Sequence, residues 1–162
     1  MFQIIGHTTQ RNALTKLFQN GRLPTALLFC GPSGIGKSLV AKELSSAIFC
    51  ESEDLHSKTG GCGSCKSCRV LEAGNMPDFY YVNCGEKDDA AIGQVRELLY
   101  SLNLCAFSSR YRVVVFDEAE KLSTQTSNVL LKSIEEPRPN THFILISSNA
   151  SRLIPTIVSR CQ

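Results

Sequence analysis

The chain has 162 residues, long enough for one well-buried domain and too short for two ordinary ones. Its composition, 43% hydrophobic and 20% charged, is that of a globular protein, and no apolar run reaches the length of a membrane span. A formal charge of +2 is low for a protein that reads a nucleic-acid duplex with its own basic surface. The opening stretch "MFQIIGHTTQ" lacks the basic-then-apolar layout of a signal peptide, so a cytoplasmic location is expected.

Residues 9–20 place Ala13, Leu14, Leu17 and Phe18 on one helical face, with Gly21 and Pro24 as stop signals. The short apolar run at residues 25–30, between Pro24 and Gly31, has the length and composition of a strand buried on both faces. "GPSGIGKS" then opens a helix in which Leu39, Val40, Leu44 and Ile48 return at helical spacing. Beyond a cysteine-rich stretch, "DFYYVNC" reads as a second strand and residues 90–102 as a helix with Ile92, Val95, Leu98, Leu99 and Leu102 inward. "RVVVFDE" is the plainest strand, a β-favouring apolar run that ends abruptly in two carboxylates. Ser123 is placed to cap a helix carrying Val129, Leu130 and Ile134, which Pro137 ends, and "HFILISSN" is a further buried strand. Arg110 and Arg112, ahead of "VVVF", read as a solvated edge. Strands alternating with helices predict an α/β fold around a mostly parallel sheet, with the site at the carboxyl ends of the strands.

Gly31-Pro32-Ser33-Gly34-Ile35-Gly36-Lys37-Ser38 matches G-x-x-x-x-G-K-[ST] in full. Glycines let the backbone curl until successive N–H groups point at a phosphate, and the following helix adds its positive end. Lys37 can reach the β- and γ-phosphates of ATP, and the Ser38 hydroxyl can ligate Mg²⁺. Asp117, at the end of a buried strand, is suited to holding Mg²⁺ through water, and Glu118 to orienting and deprotonating an attacking water. Ser148, just past the last strand, could touch a γ-phosphate or that water, or simply mark where the strand meets solvent.

Four of the eight cysteines follow C-x11-C-x2-C-x2-C: Cys50, Cys62, Cys65 and Cys68. In a reducing compartment this reads as a metal site before it reads as disulfides. Spacing alone also admits an iron–sulfur centre, and His56 lies within the long step. Four thiolates leave no open position for catalysis, so a closed structural Zn²⁺ site is the expectation.

The order of phosphate loop, cysteine module, "DEAEKL", "NVLLKSIEEP" and "LIPTIVSRCQ" resembles the AAA+ ATPase core of bacterial DNA polymerase III clamp-loader subunits, essentially end to end. Within that family "IIGH", "LEAGNMPDFYYV" and "SNASRLIPTIVSRCQ" are more similar to the δ′ subunits than to the τ/γ motor subunits, whose "RKYRP"-like start is absent. The resemblance implies an AAA+ P-loop core over residues 1–162 with a zinc module inserted at 50–75, the lid and collar domains lying outside this chain. It implies a part in ATP-driven loading of the sliding clamp onto primed DNA, with other clamp-loader subunits as partners and no membrane. It implies, too, that Arg160 reaches in trans to the ATP of a neighbouring subunit. Some δ′ subunits have a degraded phosphate loop, whereas both nucleotide motifs are intact here, so hydrolysis by this chain is open. A small-molecule kinase would use the same loop, but "DEAE" and the lack of an acceptor site speak against it.

Overall fold

The computed structural model describes residues 4–52, 59–85, 93, 95, 97–99, 101 and 109–162. In chain order the elements are α1 (Thr8–Gln19), β1 (Ala26–Cys30), α2 (Lys37–Phe49), α3 (Lys66–Glu72), β2 (Phe79–Asn83), β3 (Arg112–Asp117), α4 (Thr124–Glu135), β4 (Thr141–Ser147) and α5 (Pro155–Val158). Residues 93, 95, 97–99 and 101 are helical, inside the segment read as a helix. Val95, Leu98 and Leu99 are buried there, while Ile92 and Leu102 lie outside the described residues.

The four strands form one parallel sheet in the order β1-β4-β3-β2. On β3, Val113, Val114, Val115 and Phe116 are all fully buried, and their alternation divides the core in two. Val114 and Phe116 join Phe143 and Leu145 beneath Leu130, Ile134 and Ile157 from α4 and α5. Val113 and Val115 join Ile144 and Ile146 beneath Ala41, Leu44, Ile48 and Leu71 from α2 and α3. A sheet covered on both faces needs apolar residues at every position of its central strand, and "VVVF" supplies them.

Because all four strands run the same way, Cys30, Asn83, Asp117 and Ser147 finish at one end of the sheet. The crossover that sets β4 between β1 and β3 brings the segment after β4 between the loop after β1 and the carboxylates after β3. Cys30 pairs with Ser147, and Phe116 with Leu145.

Local signals act as expected at several points. The Ser123 hydroxyl accepts from the Thr126 amide at 3.2 Å, capping α4. Pro155 occupies the first turn of α5, where its missing N–H costs nothing. Packing overrides sequence pattern elsewhere. Arg112 is 3% exposed rather than solvated, because it begins the central strand. Leu39 and Leu17, grouped by helical spacing with residues that are buried or half-buried, are 39% and 37% exposed. Ala13 is exposed as well, since α1 leans over an open groove beside β1. The outer edge of β1 is only partly covered: the Gln162 amide donates to Ala26 O at 3.1 Å and its carbonyl accepts from Leu28 N at 2.8 Å. That edge position leaves Leu28 and Phe29 half-buried and Cys30 exposed, short of the full burial expected for this strand. Among the described residues no helix is long and apolar enough to cross a membrane.

Candidate nucleotide site and metal centre

The segment from Gly31 to Gly36 curls between β1 and α2 with Gly34 at φ 81° and Gly36 at φ 91°, left-handed conformations that glycine adopts without strain. Gly36 caps α2, so the first amides of that helix face into the loop. Lys37 Nζ donates to the carbonyls of Gly31 and Pro32 at 2.6 and 2.7 Å, which holds its charge against the loop. Ser33 and Ile35 are exposed on the outer turn, and the Ile35 carbonyl lies 2.8 Å from His7 Nε2.

Across the crossover, Asp117 is enclosed by donors. Its Oδ1 accepts from the Glu118 amide at 2.9 Å, and its Oδ2 accepts from the Tyr81 hydroxyl. The Tyr81 hydroxyl also lies beside Ser38, so one phenol stands between the first turn of α2 and the end of β3. Burial, and then the bond to Asp117, push the Tyr81 phenol well above its usual range and keep it a donor. Lys42, one helical turn after Ser38, lies 4.8 Å from the centre of the Tyr81 ring.

Glu118 has φ 53°, an uncommon conformation for a residue with a side chain, and it turns the chain sharply off β3. Its carboxylate pairs with Lys121 at 2.8 Å and abuts Gly85, where an added Cβ would collide with it. Ser148 donates both its hydroxyl and, at 3.0 Å, its amide to Glu120 Oε1. Burial alone would raise the Glu120 carboxyl, but hydrogen bonds from Ser148, its own backbone and Ser147 together outweigh it and hold the group below its usual range. Sequence reasoning singled out Ser148 but not its partner Glu120, nor Tyr81, Lys121 or Gly85. The i,i+3 spacing of Glu118 and Lys121 in "DEAEKL" was the one local signal for any of them.

A groove of about 600 Å³ opens beside the loop between α1 and β1, lined by His7, Leu14, Leu28, Ile35 and Gln162 among others. It is mostly apolar and ends at Lys37, which suits a flat heteroaromatic ring continued by phosphates. The residues present fit a magnesium nucleotide: a glycine loop with a lysine, and a hydroxyl and a carboxylate already brought to one phenol.

The Sγ atoms of Cys50, Cys62, Cys65 and Cys68 all lie within 4.8 Å of one another. A tetrahedral ion with bonds of about 2.3 Å sets its sulfurs about 3.8 Å apart, so the cluster fits zinc with small adjustment. Amides already aim at the sulfurs: Cys62 N donates to Cys50 Sγ at 3.3 Å, Cys65 N to Cys62 Sγ at 3.3 Å, and Cys68 N to Cys65 Sγ at 3.4 Å. The Ser64 hydroxyl and the amides of Cys65 and Ser64 hold the Cys62 thiol down at about 5, whereas burial raises Cys50 and Cys68. The module seats on α2 through Gly61, whose amide donates to Ser46 Oγ at 2.9 Å. A Cβ on Gly61 would lie 2.6 Å from Cys68 Sγ. Arg11 braces the same region, pairing with both Glu43 oxygens at 2.6 and 2.5 Å and reaching Thr59 Oγ1 at 3.2 Å. His56 lies outside the described residues.

Arg160 sits at the other end of the sheet. Its guanidinium meets Glu135, the last residue of α4, at 2.5 Å and the Thr156 carbonyl at 3.0 Å. Two residues on, Gln162 pairs with the start of β1. The loop that carries Lys37 begins at Gly31, four residues past Leu27, which the Gln162 bonds bracket, about 13 Å along the strand at 3.3 Å per residue.

A parallel sheet in this order, with a phosphate-type loop after β1 and an acidic pair after β3, defines a P-loop core of the AAA+ class. Solved structures share it: a DNA polymerase III gamma subunit-related protein of Thermotoga maritima has a TM-score of 0.63 at 17% identity, covering 94% of this chain and 44% of that one. The RuvB protein of the same organism has a TM-score of 0.55 at 18% identity, over 96% of this chain and 43% of that one. Residues 6–162 match the family described as DNA polymerase III, delta subunit, and the chain belongs to that family. It is 38% identical over 137 residues to the delta' subunit of Pseudomonas aeruginosa, covering 84% of this chain and 41% of that protein. It is 32% identical over 158 residues to the gamma subunit of Buchnera aphidicola, covering 98% of this chain and 41% of that protein. The chain thus spans less than half the length of these relatives.

Proposed function

We propose that this chain is the nucleotide-binding subdomain of a δ′-type clamp-loader subunit of DNA polymerase III. In this reading it binds ATP with Mg²⁺, holds Zn²⁺ in the inserted module at 50–75, and lends Arg160 to a neighbouring subunit. Its partners are the other clamp-loader subunits and, through the assembly, the sliding clamp and primed DNA in the cytoplasm.

The observation that carries the proposal is the placement of Arg160 against Glu135, at the end of α4, rather than at the chain's own loop. A guanidinium there lies apart from Lys37 and, on leaving Glu135, would meet a phosphate held by another subunit. Toward the chain's own nucleotide, Lys37 would exchange the Gly31 and Pro32 carbonyls for phosphate oxygens. The bound cation would draw charge from the phosphates, with Ser38 and Asp117 as its protein partners. Glu118 would have to turn from Lys121 to reach an attacking water, and Ser148 would have to leave Glu120 to touch a γ-phosphate. Like those of Lys37, these protein contacts must break before this chain could hydrolyse ATP.

A second reading, a motor subunit of the τ/γ kind, draws on the intact Lys37, Asp117 and Glu118 and on the likeness to the gamma subunit. Reconstitution separates the proposal from its rivals. A clamp loader assembled without any δ′ subunit should load the sliding clamp onto primed DNA only when the full-length protein is added. Failure to restore loading would contradict the δ′ assignment, and rescue of an assembly lacking τ/γ instead would favour the second reading.

A further inference from the structure

Ser38 and Asp117 come from elements far apart in the chain, and a single side chain is bonded to the second and lies beside the first. Tyr81 stands on β2 in register with Val115, two residues before the Asn83–Asp117 pair, so its ring points along the sheet surface toward the end of β3. Its hydroxyl donates to Asp117 Oδ2 and lies beside Ser38, while Asp117 Oδ1 is taken by the Glu118 amide at 2.9 Å. Both carboxylate oxygens are therefore engaged.

Resting on the magnesium-nucleotide reading above, we propose that Tyr81 is a positioning residue that holds the divalent-cation site closed, its hydroxyl filling the space between Ser38 and Asp117. A hydrated divalent cation and a phenol O–H compete for the same lone pairs on Oδ2. The cation's waters gain Asp117 only as the phenol leaves, so the two states exclude each other. In the closed state the phenol satisfies a carboxylate that would otherwise face solvent with no counter-charge, and the ammonium of Lys42 steadies the ring. Tyr81 is 36% exposed, so its hydroxyl can swing out without disturbing the core. The consequence is a site that responds to nucleotide first and to the cation only at higher concentration.

Tyr81→Phe removes the hydroxyl and keeps the ring, its packing and the Lys42 contact. The test titrates Mg²⁺ against the full-length protein with a fluorescent ADP analogue. The variant should reach half-maximal tightening at about tenfold less Mg²⁺ than wild type, the order of one charge-assisted hydrogen bond, with unchanged affinity in EDTA. A direct readout is the carbon resonance of ring-labelled tyrosine. The signal that vanishes in Tyr81→Phe should move when Mg²⁺ is added to the ADP complex and stay still when ADP is added alone. Equal Mg²⁺ half-points, a higher one in the variant, or a Tyr81 resonance unmoved by Mg²⁺ would overturn the role given to Tyr81 while leaving nucleotide binding intact. Wild-type protein that binds the analogue neither with nor without Mg²⁺ would overturn the nucleotide reading and this inference with it.

Discussion

Arg160 and Glu135 meet at 2.5 Å, tying the segment after α5 to the last residue of α4. Both side chains are about 40% exposed, at 40% and 38%, so the pair is a tether rather than a source of stability. Glu135→Gln should change folding stability by less than about 1 kcal/mol, measured by urea denaturation. A loss of several times that would mean the pair anchors the fold, and Arg160 would then be a structural residue.

The zinc reading predicts about one equivalent of metal in protein purified without chelator, by elemental analysis. Gly61→Ala should reduce that content, because the new methyl would press on Cys68 Sγ and the Ser46 carbonyl. Removing the metal should loosen the module while the sheet persists, since the sheet's core does not depend on the cysteines except through Leu71 and its neighbours. Metal content unchanged in Gly61→Ala would show that the module is not seated on α2 as described.

Lys37→Ala should weaken nucleotide binding by at least about tenfold, by removing the loop's cation and its charge-assisted bonds to phosphate. Titration with a fluorescent nucleotide measures it in the full-length protein. Equal affinity in the two proteins would place the nucleotide elsewhere.

Stability should fall in alkali through two thiols. Burial first, and then the carboxylates of Asp117, Glu118 and Glu120, push Cys84 up to about 12, and burial pushes Cys161 up to about 11. Both folded values lie above the ordinary 9.0, so the folded chain keeps protons that the unfolded chain gives up. The stabilisation is complete below about pH 9 and is lost as the pH climbs through the interval up to 11 or 12. Urea midpoints at about pH 8 and about pH 10.5 should show a decline that the double change Cys84→Ala, Cys161→Ala makes shallower. An identical decline in the double variant would rule these thiols out as its source.

What could be read from the sequence is what eight consecutive residues, or one strand with its flanks, determine. The phosphate loop needs only its own backbone, and "VVVFDE" carries both its burial and its abrupt end. The four cysteines were visible because three of them lie within seven residues. Features assembled from distant elements were not visible. Tyr81 looks like any strand aromatic until β2 is set beside β3 and α2. The groove needs α1, β1 and Gln162 together, and the shared face of Ala13, Leu14 and Leu17 on α1 lines it. Arg112 was misread as a solvated charge because its burial comes from the sheet order, which places β3 inside.

The central claim is that Arg160 acts on a neighbour's nucleotide. Its most direct test is ATP turnover by a reconstituted clamp loader carrying Arg160→Ala, with clamp and primed DNA present. The account predicts intact folding and nucleotide binding by this subunit, and a fall of about 10³-fold or more in hydrolysis at the neighbouring site, the scale of arginines supplied in trans. Wild-type turnover at that site would contradict it.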